Sequence, residues 1–138
     1  MVNPTVPAHS LKELIALAKA KPGQITFSSS GNASPSHLGG ELLKNLAAVD
    51  LTHVPYKGGA PAVAAVIGGE VQMAIESPPP IVPQVKANKL RALGAARSNR
   101  SALLPEVPTT KEAGLPGFEV GSWYGFLAPA GTPKPIID

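Results

Sequence analysis

The stretch Phe27–Leu43, FSSSGNASPSHLGGELL, places five hydroxyl side chains, one imidazole and three glycines just before a helix-like run. Such residues could form a nucleophile with its base, a phosphate cradle, a helix cap or a cup for another anion. A helix start exposes unpaired N–H groups and the positive end of the helix dipole, so an anion fits there. We favour a ligand-facing loop, whose candidate binding residues are Ser29, Ser30, Gly31, Ser34, Ser36 and His37.

The catalytic alternatives fail on spacing. A hydrolase elbow needs Gly-x-Ser-x-Gly, which SSSGNASPSH lacks, and in KGGAP the lysine precedes the glycines rather than following them as in a P-loop. Ser36 and His37 are adjacent on a helix and point in different directions, so they do not make a triad. The histidines at 9, 37 and 53 have no metal-ligand spacing, and there is no cysteine. We therefore predict a binding protein without catalytic residues, metal or cofactor.

The first half of the sequence predicts a helix, a strand and a second helix. Ser10 and Glu13 form a capping box for a helix over about Leu11–Ala20, and QITFSSS has the character of a short strand. Ser34 caps the next helix, with proline at its first position. The expected buried face of that helix comprises Leu38, Leu42, Leu43 and Leu46. Gly39 and Gly40 weaken a helix, and a close approach to the sheet or a ligand would explain them.

The order of strand and helix then repeats. LTHVPY and VQMAIES read as strands on either side of a helix over Pro61–Ile67. The next helix is expected near Ile81, because Pro83 is tolerated only in a first turn. LRALGAA reads as a buried strand, Thr109 and Glu112 as the capping box of a short helix ended by Gly114, and VGSWYGFLAPA as a final strand.

Alternating strands and helices predict a three-layer α/β domain, with a mostly parallel sheet and helices on both faces. Ligands meet the carboxyl ends of such strands. Three turns converge there: SSSGNASPSH, PYKGGAP and ESPPPI. The second and third turns add the candidates Tyr56, Lys57, Gly58 and Glu76.

The composition limits the class of protein. A chain of 138 residues suffices for one core of ordinary size, and no apolar run approaches the roughly 18 residues of a membrane span. The net charge is only +3, and the cationic residues are scattered, which does not favour nucleic acid as a partner.

The motifs SSSGNASPSHL, HVPYKGGAP and SWYGFLAPAGTP, in this order, closely resemble the Bug-type extracytoplasmic receptors of the tripartite tricarboxylate transporter family. The resemblance runs from Val2 to the C-terminus. It implies a periplasmic solute receptor with the type II binding-protein fold, in which two α/β domains close over an organic acid and pass it to a membrane permease. The family's Pro-Gly-Gly ligand turn of the first domain and its signal peptide are missing, so residues 1–138 are expected to be the second domain alone, with 121–138 the start of the crossover back to the first.

The resemblance leaves the ligand open among dicarboxylates, tricarboxylates, acidic amino acids and aromatic acids. Glu76 stands where many relatives are expected to carry Asp or Asn. Self-association through the strand near Trp123 is a further expectation. The alternative function is the effector-binding domain of a transcriptional regulator, which would share the same architecture.

Overall fold

The computed structural model describes residues 1–121, 125 and 127–138. The described elements, in chain order, are α1 (Leu11–Ala20), β1 (Thr26–Ser29), α2 (Pro35–Ala47), β2 (Thr52–Pro55), α3 (Gly59–Ile67), β3 (Met73–Ala74), α4 (Pro78–Lys86) and α5 (Lys134–Ile137). None of these helices is long and apolar enough to cross a membrane. The expected strand VGSWYGFLAPA includes Ser122, Trp123, Tyr124 and Phe126, which lie outside the described residues.

The three strands form a parallel sheet, as the sequence predicted, and their order is β2-β1-β3. Successive residues of a strand face opposite sides of a sheet. Phe27 packs on α2 at Gly40, whereas the Ser28 hydroxyl donates to the Ala62 carbonyl of α3. Helices α2 and α3 therefore cover opposite faces, which confirms the three-layer arrangement.

The first residues of the chain extend the sheet beyond β3. Val2 forms antiparallel bridges with Met73 on one side and with Arg91 on the other. LRALGAA is consequently not the continuous strand expected. It bonds to Val2 at Arg91 and then changes partner, because Ala95 bonds to the segment 108–110 instead.

The two glycines of α2 explain which face of this helix is buried. A β-carbon on Gly40 would overlap the Phe27 ring, and one on Gly39 would lie 3.1 Å from Ile75 Cγ2. The predicted close approach to the sheet is thus confirmed. Leu38 and Leu46 are 59% and 41% exposed, so their expected burial is wrong, because the glycines bring a different stripe against the sheet. The buried residues of α2 are Ser36, Gly39, Gly40, Leu43 and Ala47.

Two other boundaries differ from expectation. Helix α4 starts at Pro78 rather than near Ile81, and Pro83 lies inside it. Pro83 is exposed, so water can bond the carbonyl that lacks its N–H partner. Thr109 and Glu112 form a capping box through two bonds of 2.8 and 3.1 Å, but they close a turn rather than a helix.

Candidate functional site

A cleft of about 600 Å³ opens at the carboxyl edge of the sheet. Its walls come from the β1–α2 loop, the β3–α4 loop and the ends of two segments without regular structure. The described lining residues are Ser30, Pro35, Ser36, Ile75, Glu76, Ser77, Pro78, Pro79, Ala96, Arg97, Val120 and Gly121.

Most hydroxyls of the β1–α2 loop bond within the loop. Ser34 Oγ accepts from the His37 amide at 3.3 Å, as a helix cap does, and donates to the Gly31 carbonyl at 2.6 Å. Ser29 is fully buried, and its Oγ lies 2.6 Å from His53 Nε2 and 3.1 Å from the Gly31 carbonyl. Gly31 holds this turn with φ +135°. Ser29, Gly31 and Ser34 therefore shape the loop without lining the cleft.

Ser30 and Ser36 are the hydroxyls of this loop that line the cleft. Ser36 Oγ accepts from the Ser30 amide at 2.9 Å and lies 2.9 Å from Ser30 Oγ and 3.0 Å from Ser34 Oγ. A hydroxyl has one proton, and that of Ser34 is used on the Gly31 carbonyl, so Ser36 donates to Ser34. The Ser30 proton can then turn from Ser36 to a ligand while the Ser30 amide keeps its bond.

His37 and His53 form a stacked pair beside this loop. Their ring centroids lie 3.9 Å apart with an interplanar angle of 8°, and His53 also stacks on Phe27. His37 Nδ1 accepts from the Ala33 amide at 3.0 Å, so the pair ties β2 to the loop. The close Ser29–His53 contact has the atoms of a nucleophile and its base, but the buried Ser29 hydroxyl is out of reach of a substrate.

Burial lowers the pKa of His53, and His37 lowers it further, whereas Glu41 acts in the opposite direction. The unfolded chain therefore binds a proton at His53 at a higher pH than the folded chain does. The contribution of His53 to the free energy of unfolding is therefore fully present above the ordinary histidine pKa of about 6.5 and is lost as the pH falls below it.

We expect the melting temperature to fall between pH 7 and pH 5, and to fall less in His53→Gln. His9→Gln, at an exposed histidine, is the control and should keep the original dependence of the melting temperature on pH. Scanning calorimetry at fixed ionic strength measures the melting temperatures. An unchanged slope in His53→Gln would contradict the assignment.

The candidate binding residues of the second turn, Tyr56, Lys57 and Gly58, are not among the described residues that line the cleft. The Tyr56 hydroxyl donates to Glu70 Oε2 at 3.3 Å. Burial raises the pKa of Tyr56, and the neighbouring Glu70 carboxylate raises it further. Lys57 is exposed and is not among the described residues that line the cleft. Gly58, with φ +114°, donates its amide to the Ser30 carbonyl at 3.1 Å and so helps position Ser30.

The helices α2, α3 and α4 all begin at this edge of the sheet, but their first turns differ in what they offer an anion. Helix α4 begins with three prolines, which have no N–H to donate. The start of α3 is occupied by a carboxylate of the chain itself, since a β-carbon on Gly59 would lie 3.4 Å from Glu76 Oε2. Helix α2 remains, and among the described groups nothing accepts from the Ser36 amide in its first turn. An anion therefore fits best at α2.

Arg97 is a cleft residue that the sequence reasoning missed. It directly follows LRALGAA, is exposed, and lines the cleft together with Ser30 and Ser36. The signal was available, because the end of that apolar run reaches the same edge of the sheet as the other turns. Lys57 drew attention instead because it stands beside two glycines.

A cleft at the carboxyl edge of a parallel sheet, lined by loops and helix starts, is typical of a small-molecule-binding domain. The comparisons with known proteins give the particular family. The sequence matches the tripartite tricarboxylate transporter family receptor over residues 1–138, and the chain belongs to this family of solute-binding receptors.

The relatives include BugT of Bordetella pertussis, which is 38% identical over 137 residues, 99% of this chain and 42% of BugT. Among solved structures, Rpa4515 of R. palustris with adipate is 36% identical with a TM-score of 0.93. MatC from Rhodopseudomonas palustris with bound malate is also 36% identical, with a TM-score of 0.89. Each structure is matched over 99% of this chain but only 46% of its own, so the chain spans less than half of these proteins.

Proposed function

We propose that this chain forms one wall of a binding cleft for a small organic carboxylate and catalyses no reaction. The observation that carries the proposal is the joint lining of one cleft by Ser30, Ser36 and Arg97 at the start of α2. The free Ser36 amide and the Ser30 hydroxyl can donate to one carboxylate, and the Arg97 guanidinium adds charge-assisted bonds. The adipate and malate in the two similar structures support this class of ligand.

The proposed setting is a periplasmic receptor whose other domain closes the cleft and which delivers its solute to a membrane permease. The chain spans 46% of each similar structure, and the cleft is partly open to solvent, which leaves room for a second wall. In this proposal residues 1–138 are the second domain, with 121–138 leading back to the first. The isolated chain should then bind weakly, because half of the contacts are absent.

Titration of the ¹⁵N-labelled chain with malate and adipate, followed by NMR, tests the proposal at the millimolar affinities expected. Amide shifts should concentrate at Ser30, Ser36 and Arg97. The neutral 1,6-hexanediol, which has the chain length of adipate, should cause none of these shifts. Equal responses to the diol and the diacid would contradict carboxylate binding.

Removing the cation of the cleft should weaken binding. We expect Arg97→Gln to raise the malate dissociation constant about fivefold, since a bond to a charged group is worth roughly 1.5 kcal/mol or more before solvent screening. Lys89→Gln removes the same charge at an exposed site outside the cleft lining and should leave the constant unchanged. An equal loss of malate affinity in both variants would mean that the effect comes from the net charge of the chain and not from Arg97 in the cleft.

A further inference from the structure

The stacked histidine pair holds the β1–α2 loop through one hydrogen bond on either side of Ser30. His37 Nδ1 accepts from the Ala33 amide at 3.0 Å, and His53 Nε2 lies 2.6 Å from Ser29 Oγ. Ala33 has a left-handed φ of +61°, which residues other than glycine rarely adopt, so its bond helps to hold an unfavourable backbone conformation. The pair therefore positions the segment that carries Ser30 to the cleft.

The hydrogen bonds assign the proton of each neutral ring. His37 accepts at Nδ1, so its proton is on Nε2. Ser29 Oγ donates to the Gly31 carbonyl at 3.1 Å and accepts from the Gly31 amide at 3.2 Å. Because the Ser29 proton is used in this way, His53 donates from Nε2 and its free nitrogen is Nδ1. A second proton on either ring would therefore sit on Nδ1.

A second proton on either ring conflicts with this arrangement. On His37 it would turn the acceptor of the Ala33 amide into another donor, and that bond would be lost. On His53 it would place a charge in a stack against Phe27 and against the His37 ring, whose centroid is 3.9 Å away. Like charges at this distance repel, so the two rings cannot both carry a charge at low cost.

The charged groups that act on His53 lie on α2. Glu41 raises the pKa of His53, whereas Lys44, which is bonded to Glu41 at 3.1 Å, lowers it. Glu41 Oε1 is also 3.9 Å from Nε2 of the other histidine. Strand β1 contributes Phe27 and Ser29 to the described contacts, and neither side chain titrates near neutral pH. Glu41 and Lys44 act against each other, so the loop bonds distinguish the neutral pair from the protonated one.

We propose that His37 and His53 are positioning residues whose neutral forms hold the β1–α2 loop in its ligand-binding shape, so that protonation of the pair weakens binding at the cleft. The inference rests on the proposed function and adds a regulation of the same site. Ser30 lies between the bonded residues Ser29 and Ala33, and its amide and hydroxyl lose their fixed place when those bonds are released.

Ligand binding and protonation of the pair then oppose each other. By linkage, a bound carboxylate lowers the pKa of the pair by the same factor by which a proton lowers the affinity. The affinity is therefore fully present above the pKa of the ligand-free pair and is lost as the pH falls below it.

NMR titration with malate at pH 7 and at pH 5 tests the inference on the unchanged chain and on a double variant. The double variant combines His37→Asn with His53→Gln, whose amides can replace the accepting Nδ1 and the donating Nε2 but take up no proton. Between these pH values we expect the malate dissociation constant of the unchanged chain to rise about fivefold more than that of the double variant. The variant reports the effect of malate's own ionisation, which both titrations share.

Equal rises in the two chains would overturn the inference. His9→Gln removes an exposed histidine and should keep the pH dependence of the unchanged chain. If His9→Gln lost that dependence as well, it would not come from the stacked pair, and the inference would also fail. If malate binds to none of these chains at pH 7, the proposed function fails too, whereas binding with the same pH dependence in all of them removes only the role of the pair.

The ligand-free chain gives a second measurement that does not depend on the folding of a variant. The ring protons of His37 and His53 and the amides of Ala33 and Ser30 should change with pH at a common midpoint. Saturating malate should move this midpoint to lower pH. Amides that do not follow the ring titration, or a midpoint that malate leaves in place, would contradict the proposed coupling.

Discussion

Replacing Gly40 by alanine should destabilise the fold by about 3 kcal/mol, the upper part of the range for inserting extra atoms into a packed core. In an ordinary helix the same change would stabilise by roughly 1 kcal/mol, because glycine is a poor helix former. Here the new methyl group would overlap the ring of Phe27, which is fully buried and cannot swing into solvent. Overpacking therefore outweighs helix propensity. Urea denaturation measures the loss.

Gly68→Ala is the matched control. Gly68 has ordinary right-handed helical geometry at the end of α3, and a β-carbon there would lie 3.4 Å from the Ala64 carbonyl. We expect a change within about 0.5 kcal/mol. A loss of less than 1 kcal/mol in Gly40→Ala would mean that α2 can move away from the sheet. Because α2 also begins at the cleft, malate titration of this variant would then show whether the binding wall moves with it.

Ser36→Ala should weaken malate binding about thirtyfold, which corresponds to roughly 2 kcal/mol. The variant removes the acceptor of the Ser30 amide and the donor to Ser34 Oγ, so the loop loses the bonds that hold Ser30 at the cleft. Ser36 is only 4% exposed, and water cannot readily replace its hydroxyl. The NMR titration used for the unchanged chain measures the difference.

Ser101→Ala controls for the loss of a hydroxyl, because Ser101 lies outside the cleft lining and its hydroxyl bonds only to the Leu103 amide, at 3.3 Å, among the described groups. Its malate affinity should be unchanged. If Ser36→Ala retained full affinity for malate, the hydrogen bonds of the Ser36 hydroxyl would stabilise the loop without contributing to binding. Thermal unfolding of both variants separates a local effect on binding from a general loss of structure.

The sequence predicted the sheet and its helices because their signals are local. Ser10 and Ser34 mark helix starts through hydroxyl caps, and the glycines of α2 indicated a close approach that the Phe27 ring makes obligatory. Leu38 was misjudged for the same reason, since helical spacing cannot say which stripe a pair of glycines will turn toward the sheet. That choice depends on a contact between residues far apart in the chain.

The site was less predictable, because a residue type does not reveal its partner. Ser29 and Ser30 are neighbours with the same side chain, yet one is buried against His53 and the other lines the cleft. The Tyr56 hydroxyl is drawn to Glu70, and Arg97 reaches the cleft from a segment that follows no regular strand. Such assignments depend on the alternation of strand faces and on tertiary pairing, which spacing alone does not fix.

The position of Val2 in the sheet has a consequence for the order of folding. Its neighbours on either side, Met73 and Arg91, are about half of the chain or more away in sequence. During synthesis Val2 therefore has no strand partner until Met73 has left the ribosome, and it lacks its second partner until Arg91 has, although β1, α2 and β2 can already associate. Long-range pairing of this kind slows folding, so closure of this edge should be a late step in the maturation of the domain.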